Sequence, residues 1–224
     1  MFIGHFAVGF ACKRLAPRAS LGALMAAPLF LDLLWPLFLI AGLESVRIDP
    51  RNTAFTPLDL HDYPYTHSLA AALVWSALFA GAFFAVTRYH RGALVVGAGV
   101  FSHWLLDFVS HGPDMPLYPG GVTLVGLGLW NSRVGTVLVE VSLFAAGLWL
   151  YLATTHARRL RGSIALWALV ALLAAIYSTT VFGPPPPSVE AIKYVGVTSW
   201  LFVPWAWWID RNRTVSMAVA DAGS

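Results

Sequence analysis

The sequence predicts an all-α, polytopic membrane protein with six transmembrane helices and a half-helix at its amino terminus. Of its 224 residues, 58% are hydrophobic and only 11% are charged, and the mean hydropathy is +0.69. Soluble domains are far less apolar. A membrane-spanning helix needs about 20 mainly apolar residues, and six stretches meet this requirement. They lie at 20–43, 68–87, 92–110, 134–153, 162–182 and 192–209.

The first apolar segment, residues 2–12, is too short to cross a bilayer and is followed by Lys13 and Arg14. We expect a half-helix whose charged end lies at the membrane surface and whose His5 lies within the membrane. Its apolar run comes before its charges, so it does not resemble a cleavable signal peptide. We expect one membrane domain over 1–224, with a metal-site region at 1–145. Supporting helices and a C-terminal tail then occupy 146–224.

The basic residues divide unequally between the two sides of the predicted membrane. Ten of the 14 Lys and Arg residues lie before span 1, between spans 2 and 3, between spans 4 and 5, or after span 6. Because Lys and Arg are enriched in cytoplasmic loops, both termini are expected in the cytoplasm and the long loop 44–66 outside, as a possible lid. The net charge of +3 and the short basic loops indicate topology signals, not nucleic-acid binding.

Several ionisable side chains interrupt the apolar spans. Asp32 lies in span 1, His103 and Asp107 in span 3, and Glu140 in span 4. Each costs roughly 3 kcal/mol inside a membrane unless it has a partner or a wet cavity. The three spans that carry these carboxylates contain no Lys or Arg to neutralise them.

The positions of these residues predict that they meet. His103, Asp107 and His111 fall within an arc of about 80° on a helix. His67 opens span 2 from the outer side, and Glu140 lies about two turns into span 4 from that side. We therefore expect one cluster in the outer half of the membrane.

The residue types indicate a metal site. Imidazoles and carboxylates without thiolates are typical ligands of zinc or manganese in hydrolytic sites, and several carboxylates suit a two-metal cluster. The single cysteine, Cys12, excludes an internal disulfide and a Cys-based zinc site. We expect one to three divalent ions, zinc before manganese, with Asp32 as general base or bridging ligand. The expected ligands are His5, Asp32, His67, His103, Asp107, His111 and Glu140.

Each ligand has a structural alternative. For His5 the alternative is a hydrogen bond to a backbone carbonyl, and for Asp32 it is helix–helix hydrogen bonding or a proton relay. His67 could instead be a helix-start residue beside Thr66. His61 and Asp62 in the outer loop are either an extra ligand and base or ordinary loop residues.

The ordered residues His5, Asp32, Thr66-His67-Ser68, the segment 103–107 with His111, and Glu140 resemble a bacterial family of membrane-bound metal-dependent hydrolases, the YdjM-like group. The resemblance covers most of 1–145 and implies the bacterial inner membrane. A more distant resemblance is to zinc-dependent phospholipase C, a soluble helical enzyme with three zinc ions. That family has a histidine four residues before its late glutamate, where this chain has Thr136.

These observations lead us to expect an enzyme that hydrolyses a phosphoester in a phospholipid or other lipid-linked phosphate. Bound metal would hold the phosphoryl oxygens and lower the pKa of an attacking water. A metal-ion or proton transporter and a non-catalytic membrane partner protein are the alternatives. The sequence contains no HExxH motif and no serine-nucleophile elbow.

Overall fold

The computed structural model describes residues 1–216, so the last residues of the predicted C-terminal tail lie outside the described part. The chain is mainly helical, with three short antiparallel strand pairs. The helices are α1 (Ile3–Leu15), α2 (Leu21–Ile40), α3 (Pro64–His67), α4 (Leu69–Thr87), α5 (His90–Ser110), α6 (Arg133–Thr154), α7 (Leu160–Phe182), α8 (Val189–Thr198) and α9 (Phe202–Arg211). The strands are β1 (Ser45–Ile48), β2 (Leu58–Asp62), β3 (Met115–Pro116), β4 (Leu124–Val125), β5 (Thr155–Ala157) and β6 (Arg213–Val215).

Within residues 1–216, five helices are long and apolar enough to cross a membrane, as expected of a helical membrane protein. They are α2, α4, α5, α6 and α7. Helix α4 has one buried residue, Ala72, along its 19-residue length. Its exposed leucines and valines would be unfavourable in water, and lipid is the solvent in which such a surface is stable.

The prediction of six spans is not confirmed, because the segment predicted as span 6 is not one α-helix. It divides into α8 and α9, joined by a 3₁₀ turn at Ser199–Leu201. Pro204 explains the division: it has no N–H for the carbonyl of Trp200, and its ring pushes against that carbonyl.

The predicted half-helix is α1, and it is the centre of the fold. It has 13 residues, or about 20 Å of helix, which is shorter than the hydrocarbon core of a bilayer. Helices α2, α5 and α6 pack around it. At its basic end Arg14 is exposed, whereas Lys13 is buried and its Nζ lies 2.7 Å from Asp210 Oδ1 of α9.

Helix α6 approaches α1 closely at Gly147. A Cβ atom there would overlap the backbone of Ala7, whereas a Cβ at Gly81 of α4 would meet nothing within 4 Å. We expect Gly147→Ala to lower the free energy of unfolding by about 1–3 kcal/mol through overpacking. Gly81→Ala is the matched control and should be neutral or slightly stabilising. Thermal unfolding of both variants in detergent tests this, and equal midpoints would show that α1 and α6 do not pack this tightly.

The loop 44–66 folds over one end of the helices. Its β1–β2 hairpin pairs Ser45 with Asp62 and Ile48 with Leu58. The tip is fastened to the start of α6, since Phe55 N–H donates to the Trp130 carbonyl at 3.0 Å. We call residues 44–63 the lid.

Candidate metal centre

Five predicted ligands meet beneath the lid, carried by four helices. His5 comes from the first turns of α1, Asp32 from the middle of α2, and His67 from the end of α3. His103 and Asp107 lie one turn apart on α5. All but Asp32 are buried, and the Asp32 side chain is 42% exposed to the cavity above it.

Two prolines shape the backbone of α2 around Asp32. Pro28 lies four residues before it and Pro36 four residues after it. Pro36 has no N–H to donate to the Asp32 carbonyl, which interrupts the helical ladder at this point. Side chains from outside the helix bond to neighbouring carbonyls: His103 Nδ1 lies 2.7 Å from Pro28 O, and Trp200 Nε1 lies 2.9 Å from Leu33 O.

The hydrogen bond from His103 to a backbone carbonyl determines which ring nitrogen carries a proton. A carbonyl oxygen only accepts hydrogen bonds, so Nδ1 of His103 carries the proton that bonds to Pro28 O. In the neutral imidazole, Nε2 is then a bare lone pair. This atom points into the cluster, 3.0 Å from Asp107 Oδ2.

The protonation of His67 follows from a chain of two hydrogen bonds that begins at Glu44. Thr66 Oγ1 donates to Glu44 Oε2 at 2.8 Å, so the hydroxyl has no second proton for His67 Nδ1, 2.7 Å away. Nδ1 must therefore donate, which leaves Nε2 of His67 as the bare nitrogen of the neutral imidazole. Burial raises the pKa of the Glu44 carboxyl. The backbone N–H groups of Tyr65 and Thr66 also donate to it at 2.8 Å, and such bonds favour the ionised form.

His111, the residue after α5, has the same arrangement at the cavity edge. Tyr63 O–H donates to Asp114 Oδ1 at 2.9 Å, which leaves the phenol oxygen and the carboxylate as acceptors for His111 Nδ1, each 3.1 Å away. Burial, together with the nearby Asp114 charge, raises the pKa of Tyr63 well above its ordinary value, so the phenol keeps its proton. Nε2 of His111 is bare and lies 3.8 Å from Asp107 Oδ2.

In their neutral forms, His67, His103 and His111 therefore direct bare Nε2 nitrogens toward two carboxylates, of which Asp107 also contacts the α-amino group of Met1. The Nε2 atoms of His67 and His103 are 3.2 Å apart, and Asp32 Oδ1 lies 3.4 Å from the first and 3.7 Å from the second. Asp107 Oδ2 lies 3.8 Å from His67 Nε2. Lone pairs this close repel one another in a buried site unless a cation lies among them. One proton would satisfy one of these contacts, whereas a divalent ion satisfies several together.

The spacing of these atoms fits a tetrahedral ion. Bonds of about 2.0–2.1 Å to a tetrahedral zinc place neighbouring ligand atoms about 3.3 Å apart. The three distances among Asp32 Oδ1, His67 Nε2 and His103 Nε2 run from 3.2 to 3.7 Å. Asp107 Oδ2 adjoins this group, 3.0 Å from His103 Nε2 and 3.8 Å from His67 Nε2. The histidines also donate their Nδ1 protons to a carbonyl, a hydroxyl or a carboxylate, as metal-bound histidines do. The residues present therefore fit a divalent metal ion.

A second group of ligand atoms shares residues with the first. His5 Nε2 lies 3.1 Å from Asp107 Oδ1, and its ring stacks on that of His103 at 3.9 Å between centroids. The α-amino group of Met1 also contacts Asp107 Oδ1. In the described structure His5 Nδ1 has no hydrogen-bond partner. His5, His103 and Asp107 thus offer a second position for an ion.

Glu140 is buried, but it lies outside both groups of ligand atoms. Its Oε2 accepts a hydrogen bond from Gly4 N–H at 3.3 Å, at the start of α1. First-turn N–H groups lack helical partners, and a negative charge there interacts favourably with the positive end of the helix dipole, so Glu140 serves α1 as a cap. Thr136, one turn earlier, bonds through its hydroxyl to the Leu129 and Ser132 carbonyls.

The lid residues His61 and Asp62 do not join the site. His61 bonds to Ser45 Oγ at 3.1 Å and to the Asp59 carbonyl at 3.2 Å, and Asp62 is exposed. Other lid residues cover the cluster and form most of an apolar roof over a cavity of about 160 Å³. The cavity is lined by Met1, Phe2, Asp32, Trp35, Phe55, Thr56, Leu58, Leu60, Tyr63, His67, Asp107, His111, Trp130 and Thr180.

The Glu44–Thr66–His67 chain gives a testable prediction. Thr66→Val keeps the side-chain volume but removes the hydroxyl that fixes the His67 tautomer, so we expect metal affinity to fall about 10–100-fold. Thr66→Ser should restore most of it, because serine retains the hydroxyl. Titration of metal-free protein with Zn²⁺ against a competing chelator measures the change. Equal weakening by Val and Ser would mean that the methyl packing of Thr66 matters and its hydroxyl does not.

The comparisons with known proteins do not extend these observations. The chain matches no protein-family model, no curated protein and no solved structure.

Proposed function

We propose that this protein is a metal-dependent hydrolase of the membrane that acts on a phosphoester in a phospholipid or other lipid-linked phosphate. The observation that carries the proposal is the convergence of three imidazole lone pairs with two carboxylates beneath the lid. If this cluster served only to hold the helices together, apolar side chains would do so at a lower cost in desolvation free energy. The resemblance described from the sequence points to the same class of reaction.

In this proposal Asp32, His67, His103 and Asp107 hold one ion, zinc before manganese, and His5 with Asp107 and His103 holds a second. His111 is a further ligand from the cavity edge. A divalent ion there supplies Lewis acidity toward a phosphoryl oxygen and acidifies a water molecule. Tyr63 and Glu44 orient His111 and His67 through their Nδ1 protons, and Glu140 fixes the helix that carries His5.

Asp32 is the residue best placed to move a proton. Its side chain is the most open of the cluster and lines the cavity, while the other carboxylate, Asp107, is buried beneath it. A water that enters from the cavity meets Asp32 first. The carboxylate accepts its proton while the phosphoester is held against the same face.

The position of the cavity supports a lipid-borne substrate. The cavity lies between the ligand cluster and the lid, and aromatic and aliphatic side chains form most of its wall. A lipid headgroup reaches this depth by lateral movement, whereas a small water-soluble substrate has no need of such a placement.

Phosphate or headgroup release is the direct test. Purified, zinc-loaded protein in bilayers is given a panel of labelled phospholipids and lipid phosphates, and metal-stripped protein is the control. We expect metal-dependent release from at least one lipid class. No release across the panel, together with metal-dependent ion flux into sealed vesicles, would instead assign the site to a transporter.

We also propose the orientation that the basic residues predict, in a bacterial inner membrane with both termini cytoplasmic and the lid outside. In a Cys12→Ala background, a thiol probe that does not cross membranes should label Asn52→Cys on the lid in intact cells. It should not label His156→Cys, at the opposite end, until the cells are opened. Both side chains are exposed, so the reverse pattern shows that the orientation is inverted.

A further inference from the structure

The cavity above the cluster is too small for the headgroup of a lipid substrate. Its volume is about 160 Å³, whereas sites for drug-sized ligands enclose about 300–1,000 Å³. A phosphoester group placed against Asp32 and His67 would fill much of this space. The rest of the substrate must therefore lie elsewhere.

A larger cavity adjoins it, and we call this the headgroup chamber. Its volume is about 620 Å³, and its walls are the lid segment 53–58, the start of α6, the end of α7 and the connector Pro184–Pro187. The two cavities share four lining residues, which are Phe55, Thr56, Leu58 and Thr180. These residues separate the two cavities, so a substrate that occupies both must extend past them.

The chamber wall is mainly apolar and offers polar groups to a headgroup at a few positions. Among the described residues that line it, Arg133 alone is charged, and threonine side chains supply further polar atoms. Arg133 is exposed and makes one hydrogen bond within the described structure, from Nε to the Ala54 carbonyl at 3.1 Å. Its terminal amino groups are left for a ligand, and a guanidinium binds phosphate or carboxylate with paired hydrogen bonds.

We propose that the headgroup chamber binds the polar headgroup of the lipid substrate, and that Arg133 selects headgroups with an anionic group beyond the scissile phosphoester. The inference rests on the proposed function, which places the scissile group at Asp32 and His67. The chamber lies at the lid end of the helices, at the level of lipid headgroups. It therefore receives the polar part of the lipid and not its acyl chains.

Binding of two non-hydrolysable phosphonates tests this without turnover. One is an analogue of phosphatidylglycerol phosphate, whose headgroup ends in a phosphate, and the other is an analogue of phosphatidylcholine. We expect Arg133→Gln in zinc-loaded protein to weaken binding of the first by at least about 10-fold and of the second by less than about twofold. Arg133→Lys should retain part of the discrimination. Arg47→Gln is the control, since Arg47 is an exposed lid arginine that does not line the chamber.

The ratio of the two binding affinities distinguishes a direct contact between Arg133 and the headgroup from an indirect effect of Arg133 on the lid. If Arg133→Gln weakens both phosphonates alike, Arg133 acts through Ala54 and the selection is overturned. If it weakens neither, the chamber is not the headgroup site. Arg133-dependent binding without turnover of any lipid would retain the chamber and overturn the hydrolase. If lipid hydrolysis occurs at the same rate in wild type and Arg133→Gln, the hydrolase proposal stands and the headgroup chamber proposal is wrong. If the protein neither binds nor hydrolyses these lipids, both proposals are wrong.

Discussion

Replacing His103 with alanine is expected to remove the bound metal, with at least about a 100-fold loss of affinity, because His103 belongs to both groups of ligand atoms. Its Nε2 lies within 3.2 Å of both His67 Nε2 and Asp107 Oδ2. No other histidine is shared by the two groups in the described part of the chain. Elemental analysis of purified protein measures the stoichiometry directly.

The controls for this prediction separate metal loss from misfolding. His103→Gln retains polarity and much of the side-chain volume, and it should also lose metal while keeping the thermal midpoint closer to wild type. His156→Ala removes an imidazole from the opposite end of the protein and should leave the metal content unchanged. If the double variant His103→Ala/Asp107→Ala carries as much metal as wild type, the cluster is not the metal site.

The apolar pattern predicts the five long helices well, and three of them also begin at a strong local signal. Ser20, Ser68 and Ser132 cap the starts of α2, α4 and α6 with hydrogen bonds to backbone N–H groups. The sixth predicted span has the required hydropathy, but a window average does not register the effect of one proline. Pro204 determines the local hydrogen bonding there.

The sequence also predicts the ligands that lie on regular helices. The four-residue spacing of His103 and Asp107 fixes their common face, and the charge of Asp32 within an apolar helix marks it as unusual. Glu140 is likewise a charged residue within an apolar helix. Its depth in the membrane alone does not show that the start of α1 lies between it and the other carboxylates. That relation is tertiary, and hydropathy contains no information about it.

The residues that orient the ligands are the ones that sequence reasoning missed. Glu44, Tyr63 and Asp114 lie in irregular segments, where no periodicity indicates which side chains turn inward. Glu44 is 21 residues from Tyr65 in the chain, yet it accepts that residue's N–H. Glu44 follows the end of an apolar helix, where a negative charge interacts unfavourably with the helix dipole. An acidic residue at this position is therefore one weak signal of a functional role.

Asp32→Asn is expected to reduce turnover by about 10²–10⁴-fold, the range that general acid–base groups contribute. The substitution keeps the side-chain volume and one carbonyl oxygen for the metal, but it removes the charge that accepts a proton. His67, His103 and Asp107 remain as ligands, so metal content should change much less than turnover. This difference is the measurement, with metal stoichiometry and release of labelled headgroup determined on the same preparation.

The matched control is Asp62→Asn, the same chemical change on an exposed lid residue outside the cavity. It should leave both quantities unchanged, whereas Asp32→Glu, which restores a carboxylate at a shifted position, should recover part of the activity. If Asp32→Asn loses metal and turnover in the same proportion, Asp32 serves only as a ligand. If it loses neither, the proton must go to another group, and the exposed carboxylate above the three imidazoles has no part in the reaction.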